Sequence, residues 1–168
     1  MAETQSKHDS PVVALLIIWA TLMLMIGVGT HAIDLHFTVG PWNAHHWFSV
    51  AGAGFIALYT PAFYVLKRRR KDRYRALLAT HVFGGLLATT LVAVHFTQHI
   101  IRSVGYFPRP GTGVVLFAGV TLSVLTGFLL RYRPFKVGMR EWRLLHTGAA
   151  VSFFLTIGVH VLKGLGVF

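Results

Sequence analysis

The chain has 168 residues, of which 54% are hydrophobic and 12% are charged. Because soluble domains carry about 25% charged residues, this composition excludes an ordinary soluble domain and indicates a membrane protein. The net charge of +11 does not indicate nucleic-acid binding, since the basic residues stand beside the ends of apolar runs, as membrane topology signals do. Cysteine is absent, which excludes cysteine-ligated clusters and disulfides within the chain.

Five apolar runs are long enough to cross a membrane as helices. We predict spans at about 11–30, 46–66, 74–101, 114–130 and 141–162. No remaining stretch could form a separate soluble domain, so we predict that residues 1–168 form one all-α integral membrane domain. The first ten residues hold a single lysine and no clear cleavage site follows, so we expect the first helix to be retained and not removed as a signal peptide.

The positions of Lys and Arg predict the orientation of these spans. Of the 16 basic residues, three lie on one side: Arg102, Arg109 and Lys163. The others lie in the N-terminal tail and in the loops after the second and fourth spans. Because cytoplasmic loops carry the excess of positive charge, we predict a plasma (cytoplasmic) membrane protein with a cytoplasmic N-terminus and an external C-terminus.

Two spans carry histidine pairs with identical spacing. His81 and His95 lie in the third span, and His146 and His160 lie in the fifth, with 13 residues between the members of each pair. That interval rises about 21 Å along an α-helix and returns to nearly the same face. Each span therefore presents one imidazole near each side of the membrane, where ionisable groups are costly and indicate a function.

These pairs predict two haem sites. The third and fifth spans run in the same direction, so His81 and His146 share the inner level, whereas His95 and His160 share the outer level. Two ligands per level are too few for zinc, which takes three or four protein ligands. A haem needs only two axial ligands, and it suits the apolar core of a helical bundle. We predict two haems, one at each level, held between the third and fifth helices.

Neighbouring residues fit a flat macrocycle and its propionates. The positions three and four residues after each inner histidine are small: Gly84, Gly85, Ala149 and Ala150. These offsets lie on the ligand's own helix face, where a porphyrin needs room. Cationic candidates for the propionates are Arg75 and Arg143 on the inner side, and Arg102 and Lys163 on the outer side. These four residues fit interfacial anchors equally well.

The external interface carries a further polar group whose role the sequence leaves open: His31, Asp34, His36, His45, His46 and His99. A quinone pocket with proton-accepting groups, a docking surface for an external cytochrome, a metal site and a wet interface all fit. His99 lies one turn beyond His95, where it could contact a propionate or replace His95 as a ligand.

The two histidine-bearing segments resemble the haem helices of a known group of proteins. Residues 78–99 (LATHVFGGLLATTLVAVHFTQH) and 142–163 (WRLLHTGAAVSFFLTIGVHVLK) are similar to those of di-haem b-type cytochromes. In the cytochrome b of quinol-oxidising complexes, the second and fourth helices of a four-helix bundle carry the pairs. Helices 2–5 of this chain resemble that bundle with one additional N-terminal helix, which implies that the two haems are b-type. In ferric-reductase-like membrane domains, the third and fifth helices carry them, as in this chain. The resemblance covers residues 75–163, about half of the chain.

The resemblance implies axial ligation by the four paired histidines and electron transfer across the membrane. The Pro-Glu-Trp-Tyr motif of the first family and the flavin and nicotinamide domain of the second are missing, so neither substrate chemistry carries over. We expect the membrane subunit of a respiratory oxidoreductase complex, without an active site of its own. It would exchange electrons between the quinone pool, with quinone as a candidate second cofactor, and partner redox subunits.

Two other functions stay open. Intramembrane histidines could form a relay in a proton or metal-ion transporter. However, residues 82–94 offer only Thr89 and Thr90 as polar steps, and no acidic residue lies in the interior of a predicted span. In a passive membrane anchor, the histidines would serve only for packing.

Overall fold

The computed structural model of the protein describes residues 11–103, 111–132, 138–164 and 166–167, without the side chains of residues 102, 103 and 164. The described helices are α1 (Pro11–Gly29), α2 (Ala44–Arg69), α3 (Tyr74–Ala79), α4 (Gly85–Ser103), α5 (Thr112–Tyr132) and α6 (Met139–Gly164). A 3₁₀ turn (Lys71–Arg73) precedes α3. A π-helical turn (Thr80–Gly84) joins α3 to α4, so that these pieces form one continuous third span.

Five of the described helical segments are long and apolar enough to cross a membrane, which confirms the predicted number of spans. Only 11% to 22% of the residues in their most apolar windows are buried. Large apolar side chains face outward instead, as Leu58 and Leu155 do with 76% and 71% exposure. Water-soluble monomers rarely expose such continuous apolar surface. The chain is therefore a helical integral membrane protein whose outer surface is suited to lipid.

The segment between α1 and α2 is folded, although the sequence predicted only a polar loop there. A short strand β1 (Thr38–Val39) pairs antiparallel with β2 (Trp42–Asn43). Gly40 turns the chain between them with φ +61°, a left-handed conformation that favours glycine. The Trp47 indole donates a hydrogen bond to the Val39 carbonyl at 2.9 Å. Apart from this hairpin, the regular structure of the described residues is helical. The hairpin fixes the chain just before α2 begins.

Two compact units can be distinguished, Met1–Gln98 and His99–Phe168. In the first unit, hydrogen bonds between otherwise apolar helices join α1 to α4 and α2 to α3. The Thr21 and Thr90 hydroxyls lie 2.7 Å apart, and the Tyr59 hydroxyl donates to the Leu77 carbonyl at 3.1 Å. In the second unit, α5 and α6 pack along their length and bury Leu116, Val120 and Phe153.

Gly52 allows a close approach of α2 to α4. A Cβ at this position would lie 2.5 Å from the Ala88 carbonyl oxygen and 3.1 Å from a side-chain atom of Leu91. Small residues let helix backbones approach closely, which is a common means of packing helices in membranes. These two helices also carry histidine rings that lie close together, His45 and His46 on α2 and His95 on α4.

We predict that Gly52→Ala destabilises the protein by about 1–3 kcal/mol, because the added methyl group overpacks the contact between α2 and α4. Gly54→Ala is the matched control on the same helix, since a Cβ there would meet nothing within 4 Å. Thermal unfolding in detergent measures both variants. The Gly52 variant should melt at a lower temperature than the Gly54 variant, and equal melting temperatures would contradict the described contact.

Candidate functional site

His95 lies where α4 meets the first turn of α2. Its Nδ1 is 3.2 Å from the backbone carbonyl oxygen of His45. A carbonyl oxygen can only accept a hydrogen bond, so Nδ1 carries the proton and Nε2 keeps its lone pair. Metal-ligating histidines normally donate their second ring N–H to a carbonyl, carboxylate or water. The neutral His95 ring is therefore the Nδ1–H tautomer, the form that metal-ligating histidines usually adopt when Nε2 is the ligand atom.

Two further imidazoles surround His95. The ring centroids of His45 and His46 are 4.2 Å apart, and they lie 5.6 and 5.4 Å from the His95 ring. One ring nitrogen of His45 lies within 4.8 Å of one of His46, close enough for the two side chains to share a metal ion. His99 lies one turn beyond His95 on α4 and is exposed. The structure thus brings His45 and His46 to the predicted outer ligand.

Asp34 and His36 form an ion pair in the segment that leads to β1. The Asp34 carboxylate accepts hydrogen bonds from the His36 backbone N–H at 2.9 Å and from its Nδ1 at 2.8 Å. These bonds, the backbone one first, hold the pKa of Asp34 below its ordinary value. Their contribution to stability is present at neutral pH and is lost as the pH falls through this lowered pKa. The centroid of the His36 ring lies 6.3 Å from that of His45, so Asp34 and His36 lie beside the histidines at the start of α2.

His81 lies in the π-helical turn of the third span. Such turns are rare and occur frequently at functional sites. The His81 ring stacks on Phe63 of α2 with a centroid distance of 4.5 Å and an interplanar angle of 5°. Phe55 fills the space beside Gly84, whereas a Cβ at Gly85 would meet nothing within 4 Å. Of the two small residues that follow His81 and were predicted to leave room for a macrocycle, Gly85 borders open space and Gly84 does not.

His146 is held against α5 in the same way as His95 is held against α2. Its Nδ1 lies 3.1 Å from the Ser123 carbonyl oxygen and 3.1 Å from the Thr126 hydroxyl. The carbonyl requires that Nδ1 carries the proton, which again leaves Nε2 with its lone pair. A Cβ at Gly127 would lie 3.1 Å from the His146 Cε1, so glycine is what allows the ring to lie so close to α5.

His160 also contacts α5, near the other end of the same helix pair. Its Nδ1 lies 2.8 Å from the Thr112 hydroxyl. A Cβ at Gly113 would lie 3.7 Å from the His160 Cε1, an ordinary van der Waals distance. The ring is exposed, in contrast to the half-buried ring of His146. Both histidines of α6 therefore present an Nδ1 to an oxygen atom of α5.

The other predicted residues lie around these rings. Ala149 is buried and lines a groove of about 420 Å³ between α5 and α6, together with Gly148 and Ser152. Ala150 is half-buried. Three of the predicted cations are exposed: Arg75, Arg143 and Lys163. The side chain of Arg102 lies outside the described residues, and the propionate role of all four stays a prediction.

No family model, curated protein or solved structure matches the chain. A functional assignment therefore depends on the chain's own side chains and their geometry.

Four groups that orient the imidazoles were not predicted from the sequence. Two are backbone carbonyls, of His45 and Ser123, which no sequence pattern identifies. The other two are the hydroxyls of Thr112 and Thr126, and for these a signal was present. A Thr-Gly dipeptide occurs twice in α5, at 112–113 and 126–127, with the same interval that separates the two histidines of α6.

We predict that His36→Ala raises the pKa of Asp34 part of the way towards its ordinary value. The substitution removes the side-chain hydrogen bond and the nearby charge, but it leaves the backbone N–H, which is the largest cause of the lowered pKa. Carboxyl ¹³C shifts measured against pH report this value. His31→Ala is the control, since His31 makes the smallest contribution. An unchanged Asp34 pKa in the His36 variant would contradict the described pair.

Proposed function

We propose that this protein carries electrons across a membrane through two b-type haems. His81 and His146 would be the axial ligands of the inner haem, and His95 and His160 those of the outer haem. The observation that supports this most directly is the matching arrangement of His95 and His146. Each directs its Nδ1–H at a backbone carbonyl oxygen, which is the second-nitrogen hydrogen bond that metal-ligating histidines normally make.

The residues present fit such a group. Three of the four proposed ligands, His95, His146 and His160, have an oxygen atom within hydrogen-bond distance of Nδ1. Near the fourth, His81, Gly85 borders open space. A bound haem would supply a one-electron carrier, and two histidines would hold it. The chain's own part is to orient the imidazoles, exclude water and tune the potential through hydrogen bonds and burial.

Orientation and partners follow from charge and chemistry. Basic residues crowd the last turn of α2 at Lys67, Arg68 and Arg69, and positive charge favours the cytoplasmic side. We infer a cytoplasmic N-terminus, an external C-terminus and a place in the plasma membrane. Since the proposed haems offer no substrate site, we infer that the protein is a subunit of a respiratory oxidoreductase complex. It would pass electrons between quinone and partner redox subunits.

The imidazoles of His36 and His45, beside the proposed outer ligand His95, support the proposal of a quinone site on the external side. Quinone reduction and quinol oxidation exchange protons as well as electrons, and histidine is the side chain whose ordinary pKa suits that exchange. His36, already bonded to a carboxylate, and His45 lie beside the proposed outer ligand. These groups could take up or release protons next to the electron path.

One observation favours a second function, the binding or transport of a metal ion. The ring nitrogens of His45 and His46 lie close enough to share an ion, and neutral imidazole is a common ligand of zinc, copper and iron. In that case the histidines of the spans would serve as a relay. The two functions differ in a simple way, because only the first requires a low-spin haem spectrum.

Replacement of His95 tests the proposed function. We predict that His95→Ala binds one haem per chain where the unaltered protein binds two, because only the outer site loses a ligand. His46→Ala is the matched control, since it removes a neighbouring imidazole that is not a proposed axial ligand. Haem content after extraction and the reduced-minus-oxidised spectrum measure the outcome. Retention of two haems by the His95 variant would overturn the assignment of this ligand.

A glycine substitution tests the inner site from the opposite helix. We predict that Gly127→Ala weakens haem binding at His146, because the added Cβ would press on the ring at 3.1 Å and shift it. Gly119→Ala is the control on α5, where a Cβ would meet nothing within 4 Å. The haem-to-protein ratio should fall only for the Gly127 variant. Equal ratios in both variants would show that the ring position does not matter for binding.

A further inference from the structure

The two histidines of α6 share one kind of environment. The Thr-Gly pair at 126–127 lies against His146, and the pair at 112–113 lies against His160. Both intervals are equal, and an α-helix returns to nearly the same face over that interval. The two helices run in opposite directions, so the later pair of α5 meets the earlier histidine of α6. A single helix register thus satisfies both contacts.

At His146, the hydrogen bonds around Nδ1 determine which atoms donate and which accept. The Thr126 hydroxyl donates within its own helix, to the Leu122 carbonyl at 2.7 Å with the Ser123 carbonyl at 3.2 Å as a second acceptor, so its oxygen is left to accept. The proton on His146 Nδ1 is then shared between the Thr126 oxygen and the Ser123 carbonyl, both at 3.1 Å. Thr126 is fully buried. The ring therefore has two acceptors on α5, and loss of one leaves the other.

At His160, one oxygen atom, that of the Thr112 hydroxyl, contacts the ring nitrogen Nδ1. The Thr112 hydroxyl lies 2.8 Å from His160 Nδ1, and among the described residues it is the hydrogen-bond partner of that ring. If Nε2 binds iron, Nδ1 carries the proton and Thr112 must accept it. This ring therefore depends on one hydroxyl group, where His146 depends on a hydroxyl and a carbonyl.

We infer that Thr112 and Thr126 are positioning residues for the axial ligands, and that Thr112 matters more for ligand orientation although Thr126 is the more deeply buried. This inference rests on the proposed function. A hydrogen bond accepted from Nδ1–H raises the basicity of the ligand, which favours the oxidised iron and lowers the potential. A purely structural role would give the opposite ranking, because the buried threonine would then matter more.

Threonine-to-valine variants test the inference, because valine keeps the side-chain shape and removes the hydroxyl. For Thr112→Val we expect one of the two haems to be lost about 10- to 100-fold faster to a haem-scavenging protein, and its midpoint potential to rise. Thr112→Ser should restore both quantities. Thr126→Val should have a smaller effect on the other haem, because the Ser123 carbonyl still accepts from His146.

Thr121→Val is the control for removing a hydroxyl from α5. Thr121 is exposed, and its hydroxyl donates to the Phe117 carbonyl of its own helix, so both haems should be unaffected. Unchanged haem loss and potentials in Thr112→Val would overturn the inference, and so would a larger effect on haem from Thr126→Val. If the unaltered protein binds no haem, the proposed function itself fails. That outcome is distinct from two bound haems that are insensitive to the threonines.

Discussion

The packing of the helices depends on supplying hydrogen-bond acceptors for the histidine rings of the apolar spans. A buried N–H without an acceptor is costly, and the described spans offer few polar side chains to meet it. The chain uses the backbone carbonyls of His45 and Ser123. A carbonyl oxygen has two lone pairs, so it can accept a ring N–H in addition to its bond within the helix. At His95 and His146 the carbonyl acceptor therefore places a proton on Nδ1.

Such contacts require that helix backbones lie close to rings and to one another. Gly127 provides this at His146, where any Cβ would press on the ring, and Gly52 provides it between α2 and α4. The hairpin before α2 contributes in a different way, because it fixes the start of the helix that carries His45. Packing and site chemistry are therefore linked, since the residues that set the helix register also place the acceptors beside the histidines.

The spans could be predicted from the sequence because apolar length is a local property of the chain. The π-helical turn at His81, whose ring stacks on Phe63 of α2, was not predicted. Gly84 was predicted to leave room for a macrocycle, but small residues serve helix contacts equally well, and Phe55 lies against it. Ligand candidates stand out by residue type and spacing. Their acceptors are carbonyls and common hydroxyls, so only the fold, or a spacing matched to the histidines, reveals them.

The absorption spectrum of the purified protein tests the central claim most directly. Protein produced in cells with an adequate haem supply should be red. Its reduced-minus-oxidised spectrum should be that of low-spin b-type haem, and extraction should give two haems per chain. A colourless, folded preparation under the same conditions would contradict the account and would favour a histidine relay or a metal-ion site.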